Sequence, residues 1–191
     1  PQTARHFIFV NQLVDERNAP EKATKAAAQF LANNYRMLGS WPLAITAYNH
    51  GVIGMANAVK KLGTKDVSTI IESYNSPSFG FASRNFYSEF LSASDMYDKL
   101  YRMKKIPKAA NNIATASIIL RHPMSVSQVI QSTSLSKEQL VSLNPCLLES
   151  AWTRNLHTPL PAFYEIKVPK NLVKAIQLGI KNFNAKRYAR R

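Results

Sequence analysis

The residues of this 191-residue chain best suited to handling a polar ligand lie together in Trp41–Gly51, WPLAITAYNHG. Tyr48 carries a hydroxyl that donates to a carboxylate or another oxygen, and Asn49 offers a donor and an acceptor on one amide. Such a pair suits a hydroxyl or an amide of a polar ligand. Gly51, two residues on, releases the backbone into a turn that lets the chain approach a ligand closely. The same residues also fit a structural role, with a satisfied buried Tyr and an Asn capping a helix end. Other reactive types are scattered. His6, His122 and His157 have no metal-ligand spacing with one another or with Cys146, so no metal site or cofactor is expected. A single cysteine closes no intrachain disulfide. His50 fits a structural or exposed place better than a catalytic one. Glu21, Glu72 and Glu89 read as surface positions of helices and Glu16 as a loop residue.

The elements that must hold these residues are helices. Asn18-Ala19-Pro20-Glu21 is a helix start, with proline in the first turn and a carboxylate at the positive end of the dipole. The helix is predicted to run to Leu38 and stop at Gly39. It places Ala23, Ala26, Ala27, Phe30, Leu31, Asn34 and Leu38 on one face. Pro42–Asn49 is apolar enough to be a short buried helix. Further helices are predicted over Ile53–Leu62, Lys65–Tyr74 and Arg84–Tyr101, the last with Phe86, Phe90, Leu91 and Tyr97 as core candidates. Phe79, Phe81, Phe86 and Phe90 suit a core better than a ligand-stacking platform. The first half is all-α.

The second half differs in charge and pattern. Residues 1–102 carry 11 basic and 8 acidic side chains, whereas residues 103–191 carry 14 and 3. Tyr101–Asn112 reads as a linker. An apolar strand (Ile113–Leu120), two short helices (Val126–Ser132 and Lys137–Leu143, capped by Ser125 and Ser136) and a strand (Phe163–Val168) follow. Lys170–Phe183 is a basic amphipathic helix leading into a charged tail, able to touch anionic lipid or wall polymer or simply to cap the domain. No apolar run reaches the roughly 18 residues that a membrane-spanning helix needs. The basic half lacks interleaved aromatics and a reading helix, so no nucleic-acid partner is expected.

Three stretches together resemble the lysozyme-like domain of bacterial lytic transglycosylases, in the goose-type lysozyme superfamily. Pro1-Gln2-Thr3-Ala4 is similar to the family's P-x-T-A, Asp15–Tyr35 to its Ala-rich helix, and Trp41–Gly51 to its W-x-x-A-[LV]-x-A-Y-N-x-G. Phe79–Ala93 resembles the closing helix of the branch typified by membrane-bound lytic murein transglycosylase D. The resemblance implies cleavage of the β-1,4 bond between N-acetylmuramic acid and N-acetylglucosamine in peptidoglycan, with formation of a 1,6-anhydro ring. One Glu serves as acid and then as base on the sugar's own 6-hydroxyl, so a second carboxylate is dispensable. In the family that Glu stands in an E-S motif before P-x-T-A. This chain is therefore expected to lack it and to be inactive alone, as the back part of a longer protein. Tyr48 matches the residue that hydrogen-bonds the Glu. Asn49, Gly51, Gln2 and Thr3 are the other substrate-binding or Glu-orienting candidates. Loss of the preceding elements is expected to expose Ala26, Ala27, Phe30 and Leu43 and to lower stability.

The β-α-α-β order of the second half resembles a degenerate LysM module. Leu140, Leu143 and Asn144 stand at its L-x-x-L-N run and Ile166–Pro169 at its closing strand. Cys146–Pro161 is an insertion. The expected fold is mainly α: a partial lysozyme-like domain (residues 1–101), a linker (102–112), a small α+β LysM-like domain (113–169), and a basic helix and tail (170–191). The expected partner is peptidoglycan glycan, and the expected place is the bacterial cell envelope, in the periplasm, with the parent protein open to membrane anchoring. A non-catalytic peptidoglycan-binding module is the alternative.

Overall fold

In the computed structural model, which describes residues 3–105 and 114–189, helices dominate and two small antiparallel sheets complete the architecture. Two compact units form. One contains residues 3–24 and 114–189, the other residues 25–105.

The second unit is helical. α1 (Pro20–Leu38) enters it at Lys25 and ends at Gly39, as its Pro20 and glycine stops predict. α2 (Trp41–His50), α3 (Val52–Leu62), α4 (Val67–Ser73) and α5 (Phe81–Arg102) follow. Leu43, Ala47, Met55, Ala58, Ile70 and Phe79 build the core. Each large aliphatic side chain fully withdrawn from water contributes about 1.5–3 kcal/mol. Leu43, expected on an exposed face, is instead fully buried, and Ala26 is buried too. Arg84 locks α5 to α4. Its guanidinium donates to the carbonyl oxygens of Ile71 and Tyr74, at the negative end of α4, and lies over the Phe79 ring. Beyond that lock α5 leaves the core. Phe81, Phe90, Leu91 and Tyr97, expected to be buried, are exposed, and Ser83 is the helix's buried residue. The core cluster reaches only as far along α5 as Tyr87. Of the expected linker, Arg102 closes α5, and residues 106–112 lie outside the described residues.

The other unit is α+β. β1 (Thr115–Leu120) pairs antiparallel with β4 (Tyr164–Pro169), Thr115 opposite Pro169 and Leu120 opposite Tyr164. Ile113, the expected start of the first strand, lies outside the described residues, as do Arg190 and Arg191 of the tail. Between the two strands run β2 (Met124–Ser125), α6 (Val126–Ser132), α7 (Lys137–Leu143), the short α8 (Glu149–Trp152) and β3 (Pro159–Leu160), with β2 paired to β3. α9 (Val173–Tyr188) closes the unit. Both predicted caps form capping boxes, Ser125 with Gln128 and Ser136 with Gln139, which explains why α6 and α7 start where the sequence places them.

Residues 3–24 pack with this unit, although the sequence division groups them with the helices. Val14 bridges to Leu147, Asp15 N–H donates to the Cys146 carbonyl at 2.8 Å, and Leu13, Val14 and Ala19 enter the core. Glu16, expected in a loop, is buried. Lys22 Nζ lies 2.5 Å from its Oε1, and Phe9 N–H donates to its Oε2 at 2.8 Å. Arg17 holds the Asp15 carboxyl below its usual range through a bidentate pair.

Asn144 ties α7 to the sheet. Its side-chain Nδ2 donates to the carbonyls of Leu140 (2.8 Å) and Lys167 (2.9 Å), and its Oδ1 accepts from Lys167 N–H at 2.7 Å. The Asn144 side chain is almost wholly withdrawn from water, so its removal strands the backbone groups it pairs. Asn144→Ala is expected to lower stability by about 3 kcal/mol in a urea titration. Gln139→Ala, on the exposed first turn of α7, serves as the comparison and is expected to cost at most about 1 kcal/mol.

Candidate functional site

The candidate site is the C-terminal end of α2. Five successive residues of this helix, Leu43–Ala47, are buried, which fixes its position before any ligand is considered. The buried polar groups are satisfied: Thr46 Oγ1 donates to the Pro42 carbonyl at 2.9 Å, and Asn34 Nδ2 donates to the Ala44 carbonyl at 3.2 Å. The next two residues emerge. Tyr48 and Asn49 are exposed at the end of a helix whose middle is closed to water.

Tyr48 is bracketed by aromatic rings. Phe86 of α5 lies parallel to it, with centroids 5.8 Å apart and 6° between planes, and Phe30 of α1 packs at 5.3 Å with a 57° tilt. These contacts restrict the phenol ring while 41% of the residue remains exposed. Asn49 is held by its acceptor: Ser83 Oγ donates to Asn49 Oδ1 at 2.8 Å, leaving the amide N–H groups available to a polar ligand. Gly51 has φ +92° and ψ 141°, a conformation that L side chains avoid, and no atom stands within 4 Å of where a Cβ would be. The glycine breaks α2 from α3 and leaves the backbone open there.

His50 belongs to the scaffold. Its Nδ1–H donates to the Ser78 carbonyl at 3.2 Å, and its ring meets Phe79 edge-on at 4.8 Å and Tyr74 at 6.2 Å. Its Nε2 is buried and has no partner among the described residues. Thr3 is exposed, at the start of a 3-10 turn (Thr3–His6) in the other unit, and Gln2 lies outside the described residues. The site as described is therefore built from Tyr48, Asn49 and Gly51. Sequence reasoning missed Ser83, and it did not pair Phe30 and Phe86 with Tyr48. Each of these partners lies far along the chain from the residue it holds, and a single sequence carries no signal for such a contact.

The carboxylates of this unit are all exposed: Asp66, Glu72, Glu89, Asp95 and Asp98. Asp66 caps α4, and hydrogen bonds from the Thr69 hydroxyl and N–H hold its carboxyl below the usual range. Among the described residues no group of three or more His, Cys, Asp and Glu is placed to hold a metal ion, and no helix is long and apolar enough to cross a membrane.

Residues 1–71 match the family model of the Transglycosylase SLT domain. That stretch takes in α1, α2 and α3, enters α4, and contains Tyr48, Asn49 and Gly51. The match supports a lytic transglycosylase acting on peptidoglycan. No curated protein matches the chain.

The scaffold around the site rests on a close approach. A Cβ on Gly54 would stand 2.4 Å from His50 Nε2, and the imidazole is wedged against Phe79 and Tyr74. Alanine ordinarily gains about 1 kcal/mol over glycine inside a helix. Here Gly54→Ala is expected to destabilise by about 1–3 kcal/mol instead. Adding His50→Ala should recover part of that loss, and a double-mutant cycle by chemical denaturation measures the coupling.

Proposed function

We propose that this chain is part of a peptidoglycan lytic transglycosylase of the transglycosylase D branch, and that the exposed end of α2 contacts the glycan strand. The reaction is cleavage of the β-1,4 bond between N-acetylmuramic acid and N-acetylglucosamine with formation of 1,6-anhydro-N-acetylmuramic acid. The observation that carries the reading is the coincidence of the SLT match with an exposed Tyr48–Asn49–Gly51 end on a buried helix. Tyr48 presents its hydroxyl to the catalytic carboxylate or a sugar oxygen. Asn49 presents its N–H groups to an N-acetyl carbonyl or a sugar hydroxyl. In this reading the general acid is supplied from outside these 191 residues. Residues 114–169 act as a degenerate LysM-like appendix, supported by the β1-α6-α7-β4 order and the Asn144 latch. The basic tail contacts anionic wall polymer or membrane, and the protein works in the periplasmic cell envelope.

One observation favours a second reading, a binding module that does not cleave. A general acid must keep its proton near neutral pH, which calls for burial, and the five carboxylates of the helical unit are exposed.

The test is sedimentation of the full chain with purified peptidoglycan sacculi, followed by mass spectrometry of the released products. The chain is expected to sediment with the sacculi, and Tyr48→Ala and Asn49→Ala each to weaken that binding fivefold or more. Without added enzyme no anhydro-muropeptide should appear. Release of anhydro products by this chain alone would overturn the placement of the acid, and failure to sediment would overturn the glycan reading altogether.

A further inference from the structure

Among the described residues, the outer edge of β4 is capped at its middle and that of β1 is uncapped. The Lys170 N–H donates to the Ala114 carbonyl at 2.7 Å, in line with the β1–β4 register. Backbone groups alternate sides along an antiparallel strand, so Ala116, Ile118 and Leu120 face β4 while Thr115, Ser117 and Ile119 turn their N–H and C=O outward. Lys167, opposite Ser117, turns outward from β4 in the same way, and there the Asn144 side chain takes up both its N–H and its C=O. On the β1 side no described residue does this for Ser117 or Ile119.

A groove of about 620 Å³ runs beside that open edge, between β1 and α9. Ile118, Ile119 and Ile180 give it an apolar floor, and Arg121 and Lys181 stand along it as cations. Ile119 is 61% exposed. Phe163, which lines the neighbouring hollow of the same groove, is 76% exposed and sits at φ +63°, an uncommon conformation for a bulky residue. Asn184 also lines the groove, and its buried Oδ1 has no hydrogen-bond partner among the described residues. Natural sheets usually guard an open edge with charge or proline. β4 carries Glu165, Lys167 and Pro169, whereas β1 reads TASIIL and carries neither.

We propose that this groove docks an extended acidic peptide, which adds to β1 as a third strand and sets its carboxylates on Arg121 and Lys181. The alternation of donors and acceptors chooses the ligand. A peptide backbone answers both, two residues per repeat of about 6.6–6.8 Å. Phosphates of nucleic acid or lipid only accept, and would leave the carbonyls of Ser117 and Ile119 unpaired. The proposal concerns the α+β unit alone and stands independently of the glycan reading.

The test uses the full chain and two capped seven-residue peptides, one alternating valine with glutamate and the other valine with lysine. Amide exchange followed by NMR is expected to slow tenfold or more at Ser117 and Ile119 with the glutamate peptide. The lysine peptide should bind at least tenfold more weakly. Ile119→Pro removes an outward N–H without touching the β4 ladder and should abolish the protection. Lys181→Glu, at an exposed position of α9, should weaken the glutamate peptide fivefold or more and carries the test if the proline variant fails to fold. The proposal is overturned if neither peptide slows those two amides, or if both bind equally well. It is likewise overturned if vesicles containing phosphatidylglycerol or a single-stranded oligonucleotide protect them and the glutamate peptide does not.

Discussion

Burial of α2 is the constraint on which the helical unit depends. Its five withdrawn residues leave the helix no freedom to rotate, because turning it by even one residue would trade Leu43 or Ile45 for an exposed side chain. That rigidity passes directly to its end. Tyr48 and Asn49 emerge in a set direction, Phe30 and Phe86 hold the phenol, and Ser83 holds the amide. Gly51 then breaks the helix at a φ that other residues avoid. A polar pair on so firm a base needs little reorganisation to meet a ligand, and pre-organisation of this kind is what keeps the entropic cost of binding low.

The α+β unit is organised by backbone valence. Each strand of a two-stranded sheet has an outer edge whose hydrogen-bonding groups must go somewhere. β4 sends Lys167 to Asn144, which couples the sheet to α7 and caps that edge at its middle. Burial of Tyr164 beside Cys146, with the hydroxyl 3.2 Å from the sulfur, adds a second internal contact; withdrawal from water raises the phenol pKa well above its ordinary value, so the hydroxyl keeps its proton. The open β1 edge stands out against this accounting.

Local signals carry much of the fold. α1 begins and ends where Pro20 and Gly39 say it must, and Ser125 and Ser136 set the starts of α6 and α7 because a capping box needs only four consecutive residues. Tyr48, Asn49 and Gly51 are legible as a motif and as the end of an apolar helix. What stays hidden is long-range. Residues 3–24 join the α+β unit through Val14 and Asp15, contacts made across more than a hundred residues of chain. α5 has the periodicity of a core helix, yet beyond Tyr87 its apolar side chains find no place in the core cluster, and Phe90, Leu91 and Tyr97 stay exposed. Periodicity states which residues share a face, and tertiary packing decides whether that face is covered.

The proposed glycan contact at the end of α2 is open to direct measurement. Titration of the full chain with β-1,4-linked N-acetylglucosamine tetramer, followed by NMR, tests it most directly. Saturable shifts are expected at the Asn49 side-chain amide and the Tyr48 ring, with smaller ones at Ser83 and Phe86. Saturable shifts confined to residues 114–189, or none at all, would contradict it.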